Sequence, residues 1–63
     1  MAEKIMKYYE YIKSQKGIAG GIELATYTKI PSTKAAMIQD SAENIKLFKD
    51  AIEKITGKPA PFY

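Results

Sequence analysis

At 63 residues, with no cysteine and no histidine, the chain has room for one domain and lacks both a disulfide and a histidine-held zinc to brace it. A domain this small buries only about 60% of the surface its unfolded chain exposes, so tight helix packing or association with another chain must supply the rest of its stability. Ten lysines against seven carboxylates leave a net charge of +3, a mild attraction to anions, and the absence of arginine removes the side chain best suited to paired contacts with guanine or phosphate.

Along the chain, residues 3–15 carry Ile5, Tyr8, Tyr9 and Ile12 at i, i+3, i+4 and i+7. That is the apolar stripe of an amphipathic helix. Lys13 and Lys16 followed by Gly17 supply the cations and the glycine that close a helix. Three glycines in Gly17-Ile18-Ala19-Gly20-Gly21 each cost a helix roughly 1 kcal/mol relative to alanine. A second helix is therefore expected to start near Gly20 or Ile22 and to run to Lys29. The same glycines allow two backbones to approach closely.

Pro31 biases Ile30 away from helical angles and sets a boundary there. Ser32 or Thr33 is expected to cap a short third helix over Lys34 to Gln39. Asp40-Ser41-Ala42-Glu43 has the spacing of a capping box with Asp40 at the cap. The fourth helix, residues 41–56, places Ile45, Phe48, Ile52 and Ile55 on one stripe and Lys46, Asp50 and Lys54 on another, with Gly57 as its stop. The expectation is an all-α fold: a small bundle of four short helices with a helix-turn-helix-like central pair, in one domain over residues 1–57. The Pro- and aromatic-rich tail, residues 58–63, is expected to be extended, with Phe62 and Tyr63 folding back on the core as a strap.

Catalysis finds little support in this inventory. There is no imidazole base and no thiolate, and no serine has an activating partner in the sequence. Each carboxylate has a simpler role as a helix cap or surface pair. The expectation is a protein that is not an enzyme, without cofactor, metal or small-molecule substrate. Gly17-x-x-Gly20-Gly21 lacks the preceding strand of a dinucleotide fingerprint and the Lys-Ser or Lys-Thr of a phosphate loop. No run approaches the ~20 apolar residues of a membrane span, and the start MAEKIMKYY has no signal-peptide core. A soluble, cytoplasmic protein is expected.

The central stretch has a more particular pattern: Leu24-Ala25-x-x-Thr28-x-Ile30-Pro31-x-x-x-Ala35-x-x-Ile38. It resembles the core of repressor-like helix-turn-helix DNA-binding domains, in which a small residue sits where two steeply crossed helices touch and aliphatic residues fill either side. Thr28-Lys29-Ile30-Pro31 looks like the turn of that family, with Lys29 at a position that is usually glycine. Asp40 to Ile45 looks like the start of the helix that follows the reader helix. The resemblance covers residues 22–57 and implies DNA as the partner, a reader helix from Ser32 to Gln39, and nucleic-acid contacts from Ser32, Thr33, Lys34 and Gln39. The alternative is a protein-interaction module that pairs with itself as a homodimer or with another protein. Tyr8, Tyr11, Phe62 and Tyr63 would then be the contact residues, because tyrosine is enriched at protein interfaces.

Overall fold

The computed structural model describes residues 3–62 and is helical without strands among them. Three helices form rather than the expected four: α1 (Glu3–Thr28), α2 (Ser32–Ala35) and α3 (Ala42–Thr56). The difference lies at Gly17. The expected first and second helices run directly into one another, and α1 bends at this one residue, whose φ of 70° and ψ of −156° are not helical. A straight helix of 26 residues would be about 39 Å long. The longest dimension of the molecule is 25 Å, so α1 must double back.

Gly17 has positive φ with no atom within 4 Å of where a Cβ would stand, so it is required for its backbone conformation and not for space. Gly20 is required for space. A Cβ there would lie 2.5 Å from Lys16 Cβ and 2.9 Å from the Ile12 carbonyl oxygen, which shows how closely the second arm crosses the first. The two glycines divide the work of the bend: one turns the chain and the other lets the arms touch.

The core forms where the first arm of α1 meets α3. Ile5, Tyr8, Tyr9 and Ile12 from the first arm pack with Leu24 from the second, Ala35 from α2, and Phe48, Ala51 and Ile52 from α3. The expected stripes on the first arm and on α3 both face inward. Tyr9 meets Phe48 edge to face with ring centroids 5.7 Å apart. The Tyr9 hydroxyl donates to the Ile30 carbonyl, which ties the first arm to the chain just beyond α1.

The N-termini of α2 and α3 are satisfied by different groups than expected, while Gly57 stops α3 as expected. Ser41, not Asp40, caps α3, its hydroxyl accepting from the Asn44 amide at 3.2 Å. Asp40 instead turns to the other end of the chain and accepts from the amides of Lys4 and Ile5 at 3.1 and 3.3 Å. Both placements satisfy first-turn amides that have no partner within their own helix. At α2 the N-cap position is Pro31, which offers no side-chain acceptor, and Ser32 and Thr33 lie inside the helix rather than capping it. Its carbonyl accepts from the amides of Lys34 and Ala35 at 2.9 Å. Gly57 ends α3 in the left-handed conformation, its amide donating to the Glu53 carbonyl at 2.8 Å.

The tail beyond Gly57 is not helical, and Phe62 folds back onto the body of the molecule. Its ring stacks on Tyr8 at 5.3 Å and meets Tyr11 edge-on at 5.7 Å. Tyr63 lies outside the described residues.

Candidate interaction groove

The bend around Pro31 brings together most of the residues expected to meet there. Leu24 and Ala35 are fully buried, and Ile30 and Ile38 pack against the core from the turn and from the segment after α2. Ala25 departs from this arrangement, being half-buried and lining a surface groove. The turn itself depends on Lys29, which adopts a left-handed φ of 61°, and on the Thr28 hydroxyl, which donates to the Leu24 carbonyl at 2.7 Å. Lys29 thus takes a conformation that glycine adopts at least cost.

The helix after the turn is much shorter than the expected Lys34 to Gln39. α2 is four residues, a single turn, and its end is marked by the Met37 amide donating to the Lys34 carbonyl at 2.9 Å. Residues 36–41 are not helical. The physical reason is tertiary. Ala36 and Met37 are good helix formers, but the chain must turn Ile38 onto the core and carry Asp40 to the start of α1. Of the residues expected to touch nucleic acid, Ser32, Thr33 and Lys34 lie exposed on α2. Gln39 is exposed in the following segment, where its carbonyl accepts from the Asn44 side chain at 2.8 Å. They do not share one helix.

The residues expected to form a protein contact are also placed differently. Tyr8 is fully buried, which corrects the expectation that it is a contact residue: its ring lies between Phe48 and Phe62. Tyr11 is half-buried and covered by the edge of Phe62. The aromatic side chains that suggested a partner are largely spent on one another inside the chain.

A surface with unspent apolar area lies elsewhere, on the second arm of α1, apart from the isolated exposed side chains of Met37 and Leu47. Its inward face is built from Gly20, Gly21, Leu24 and Thr28. Its outward face carries Ile18 and Ile22, which are 79% and 63% exposed. At 100° per residue, Ile18, Ile22 and Ala25 fall in one row along this arm. Ile18, Gly21, Ile22 and Ala25 form one wall of an open groove of about 210 Å³, with Tyr9 and Lys13 of the first arm opposite and Pro31 and Ser32 at its end. The sole charged side chain among its lining residues is Lys13. No carboxylate lines the groove.

This volume is below the ~300–1,000 Å³ of ordinary small-molecule sites. It suits one or two side chains of another polypeptide. Among the described residues, no group of three or more His, Cys, Asp or Glu side chains is placed to hold a metal ion, and no helix is long and apolar enough to cross a membrane. Burial pushes the Tyr9 hydroxyl above its usual pKa, partly offset by its contact with Thr28. Tyr9 thus presents a neutral ring wall to the groove over the ordinary pH range.

Sequence reasoning missed this groove because Ile18 and Ile22 sit among glycines and read as interruptions in a helix. The signal was available: at 100° per residue Ile18 and Ile22 fall on one row with Ala25, on the side away from Gly20 and Leu24. No protein-family model matches the chain, and neither a curated protein nor a solved structure does.

Proposed function

We propose that the chain is a non-enzymatic protein-interaction module whose working surface is the groove along Ile18, Ile22 and Ala25. Its partner is a short segment of another polypeptide that carries an aliphatic or aromatic anchor beside one or more carboxylates. One observation carries this reading: the second arm of α1 turns its smallest residues inward and its isoleucines outward. Burying one such isoleucine contributes on the order of 1.5–3 kcal/mol, a gain the folded monomer forgoes at both positions. Lys13, with no carboxylate among the other lining residues, supplies the complement for an acidic neighbour of the anchor.

The test is a titration of the isotopically labelled chain followed by amide shifts. The probes are a helical peptide with leucines at i and i+4 flanked by glutamates, the same peptide with lysines in place of glutamates, and a 20-base-pair duplex. The acidic peptide should move the amides of Ile18 to Ala25 and Ser32, and Ile22→Glu should weaken it at least tenfold. If the acidic peptide leaves those amides unmoved, or Ile22→Glu binds it equally well, the reading fails.

DNA binding through a helix-turn-helix-like core is a second reading, favoured by the convergence of Leu24, Ile30, Ala35 and Ile38 around Pro31. Against it stands the length of α2, since one turn presents few side chains to a groove that normally receives a longer helix. In the same experiment this reading expects the duplex to move Ser32 to Lys34, with affinity falling steeply as salt rises. Lys34→Glu should abolish such binding.

A further inference from the structure

We infer that the hairpin of α1 opens at Gly17, and that two copies of the chain then exchange their first arms to form a domain-swapped dimer. The whole reversal rests on one residue, because Lys16 and Ile18 on either side are both helical. Rotating Gly17 from φ 70° and ψ −156° to ordinary helical angles turns the hairpin into a continuous rod about 39 Å long. No linker has to be found and no other backbone angle has to change. A connection this short, joined to arms pressed as tightly as Ile12 and Gly20, is the arrangement that invites exchange.

Opening exposes Ile5, Tyr8, Tyr9 and Ile12, a fully buried face that only the groove between the second arm and α3 fits. In the monomer that groove is the chain's own; in the dimer it belongs to a second copy. Every contact across the hairpin can re-form between copies. The Tyr9 hydroxyl would donate to the partner's Ile30 carbonyl, and the Lys4 and Ile5 amides to the partner's Asp40 carboxylate. Ile18, next to Gly17 and 79% exposed in the monomer, would lie beside the point where the two exchanged rods meet.

Gly17→Ala separates the two states. Alanine strains the closed form at positive φ and favours the continuous helix, so the dimer-to-monomer ratio should rise on the order of 100-fold over wild type. The experiment is light scattering on size-exclusion fractions after the chain has been concentrated, warmed through its melting transition and cooled, with circular dichroism to verify folding. Wild type should yield some dimer, Gly17→Ala mostly dimer, and a variant with two glycines inserted after Gly17 only monomer. The dimer should persist for hours after dilution, because release requires the arms to come out of the core, and it should survive Ile22→Glu. That last variant distinguishes it from association through the groove. A folded Gly17→Ala that stays monomeric, or a dimer that falls apart at once on dilution and disappears in Ile22→Glu, overturns the inference. If Gly17→Ala does not fold, the insertion decides: wild-type dimer lost on insertion supports exchange, and no wild-type dimer, or one unaffected by the insertion, refutes it.

Discussion

Gly20 and Gly21 are neighbours in one helix, yet the two should respond in opposite directions to the same substitution. In a helix interior, glycine to alanine favours folding by about 1 kcal/mol through propensity alone. At Gly21 that gain is available. The new methyl would meet the Lys13 side chain at 3.3 Å, at the mobile Cε of a lysine that can swing aside. At Gly20 the methyl would stand 2.9 Å from the Ile12 carbonyl oxygen and 2.5 Å from Lys16 Cβ, neither of which can move without parting the arms of α1. Overpacking of this kind costs typically about 1–3 kcal/mol, and contact with backbone belongs at the upper end. The net expectation is a loss of about 1–2 kcal/mol for Gly20→Ala and a gain of up to about 1 kcal/mol for Gly21→Ala. In a chain of this size each kcal/mol moves the melting temperature by roughly 4–8 °C. Thermal unfolding followed by circular dichroism should therefore place the two variants on opposite sides of wild type. If Gly20→Ala melts as high as Gly21→Ala, the arms do not approach as closely as the structure has them, and the account of the bend is wrong.

Other substitutions probe the remaining ties. Asp40→Ala removes the acceptor for the Lys4 and Ile5 amides and should cost about 1 kcal/mol, with hydrogen exchange accelerated first at those two amides. Lys29→Gly relieves the left-handed backbone at the turn and should raise the melting temperature by a few degrees, a gain of up to about 1 kcal/mol; a lower melting temperature would mean that the lysine side chain contributes more than its backbone costs. Phe62→Ala uncovers Tyr8 and should destabilise by about 2 kcal/mol in denaturant titration, while Pro61→Ala, exposed beside it, should change little. Tyr9 gives a pH signature. Its pKa is raised in the fold by burial, so its contribution is fully present below the unfolded value near 10 and is lost as pH climbs through the higher folded value. Wild type should lose stability from pH 10 upward, and Tyr9→Phe should lose less over the same window.

What could be read from the chain followed from local chemistry, and what could not followed from contacts between distant residues. Ile45, Phe48, Ile52 and Ile55 announce α3 by spacing alone, and Gly57 ends it where a left-handed residue is needed. Gly17 and Pro31 mark real changes of direction for the reasons glycine and proline usually do. The length of α2 was not legible, because nothing local to Ala36 and Met37 forbids a helix. It is cut short by Asp40, whose carboxylate serves amides 35 and 36 residues away. That the glycines allow close backbone approach is legible, and Gly20 uses it, but propensity does not reveal that Ile12 is what an alanine there would collide with. Tyr8 belongs both to the apolar stripe and, by the enrichment of tyrosine at interfaces, to the candidate contact residues, and spacing alone does not choose between them. The structure chooses the stripe: Phe48 packs on one side of Tyr8, and the return of Phe62, 54 residues later, covers the other.

The same close crossing that makes Gly20 intolerant of a methyl also decides where the candidate site falls. A helix usually turns large aliphatics inward, since each contributes more by burial than a glycine can. At the crossing the second arm of α1 does the reverse, placing Gly20 inward where two backbones this near leave no room for isoleucine, although Leu24 one turn on is buried as usual. Ile18 and Ile22 are thereby displaced to the outer row, beside Ala25 and facing Lys13. Their exposure is thus a consequence of the bend rather than a lapse in patterning. It also makes them dispensable for folding: Ile22→Glu should leave the melting temperature within a degree or two of wild type, since it removes almost no buried contact. A position that contributes little to the folded monomer, yet keeps a large aliphatic beside a lysine and no acid, is suited to a partner rather than to the core.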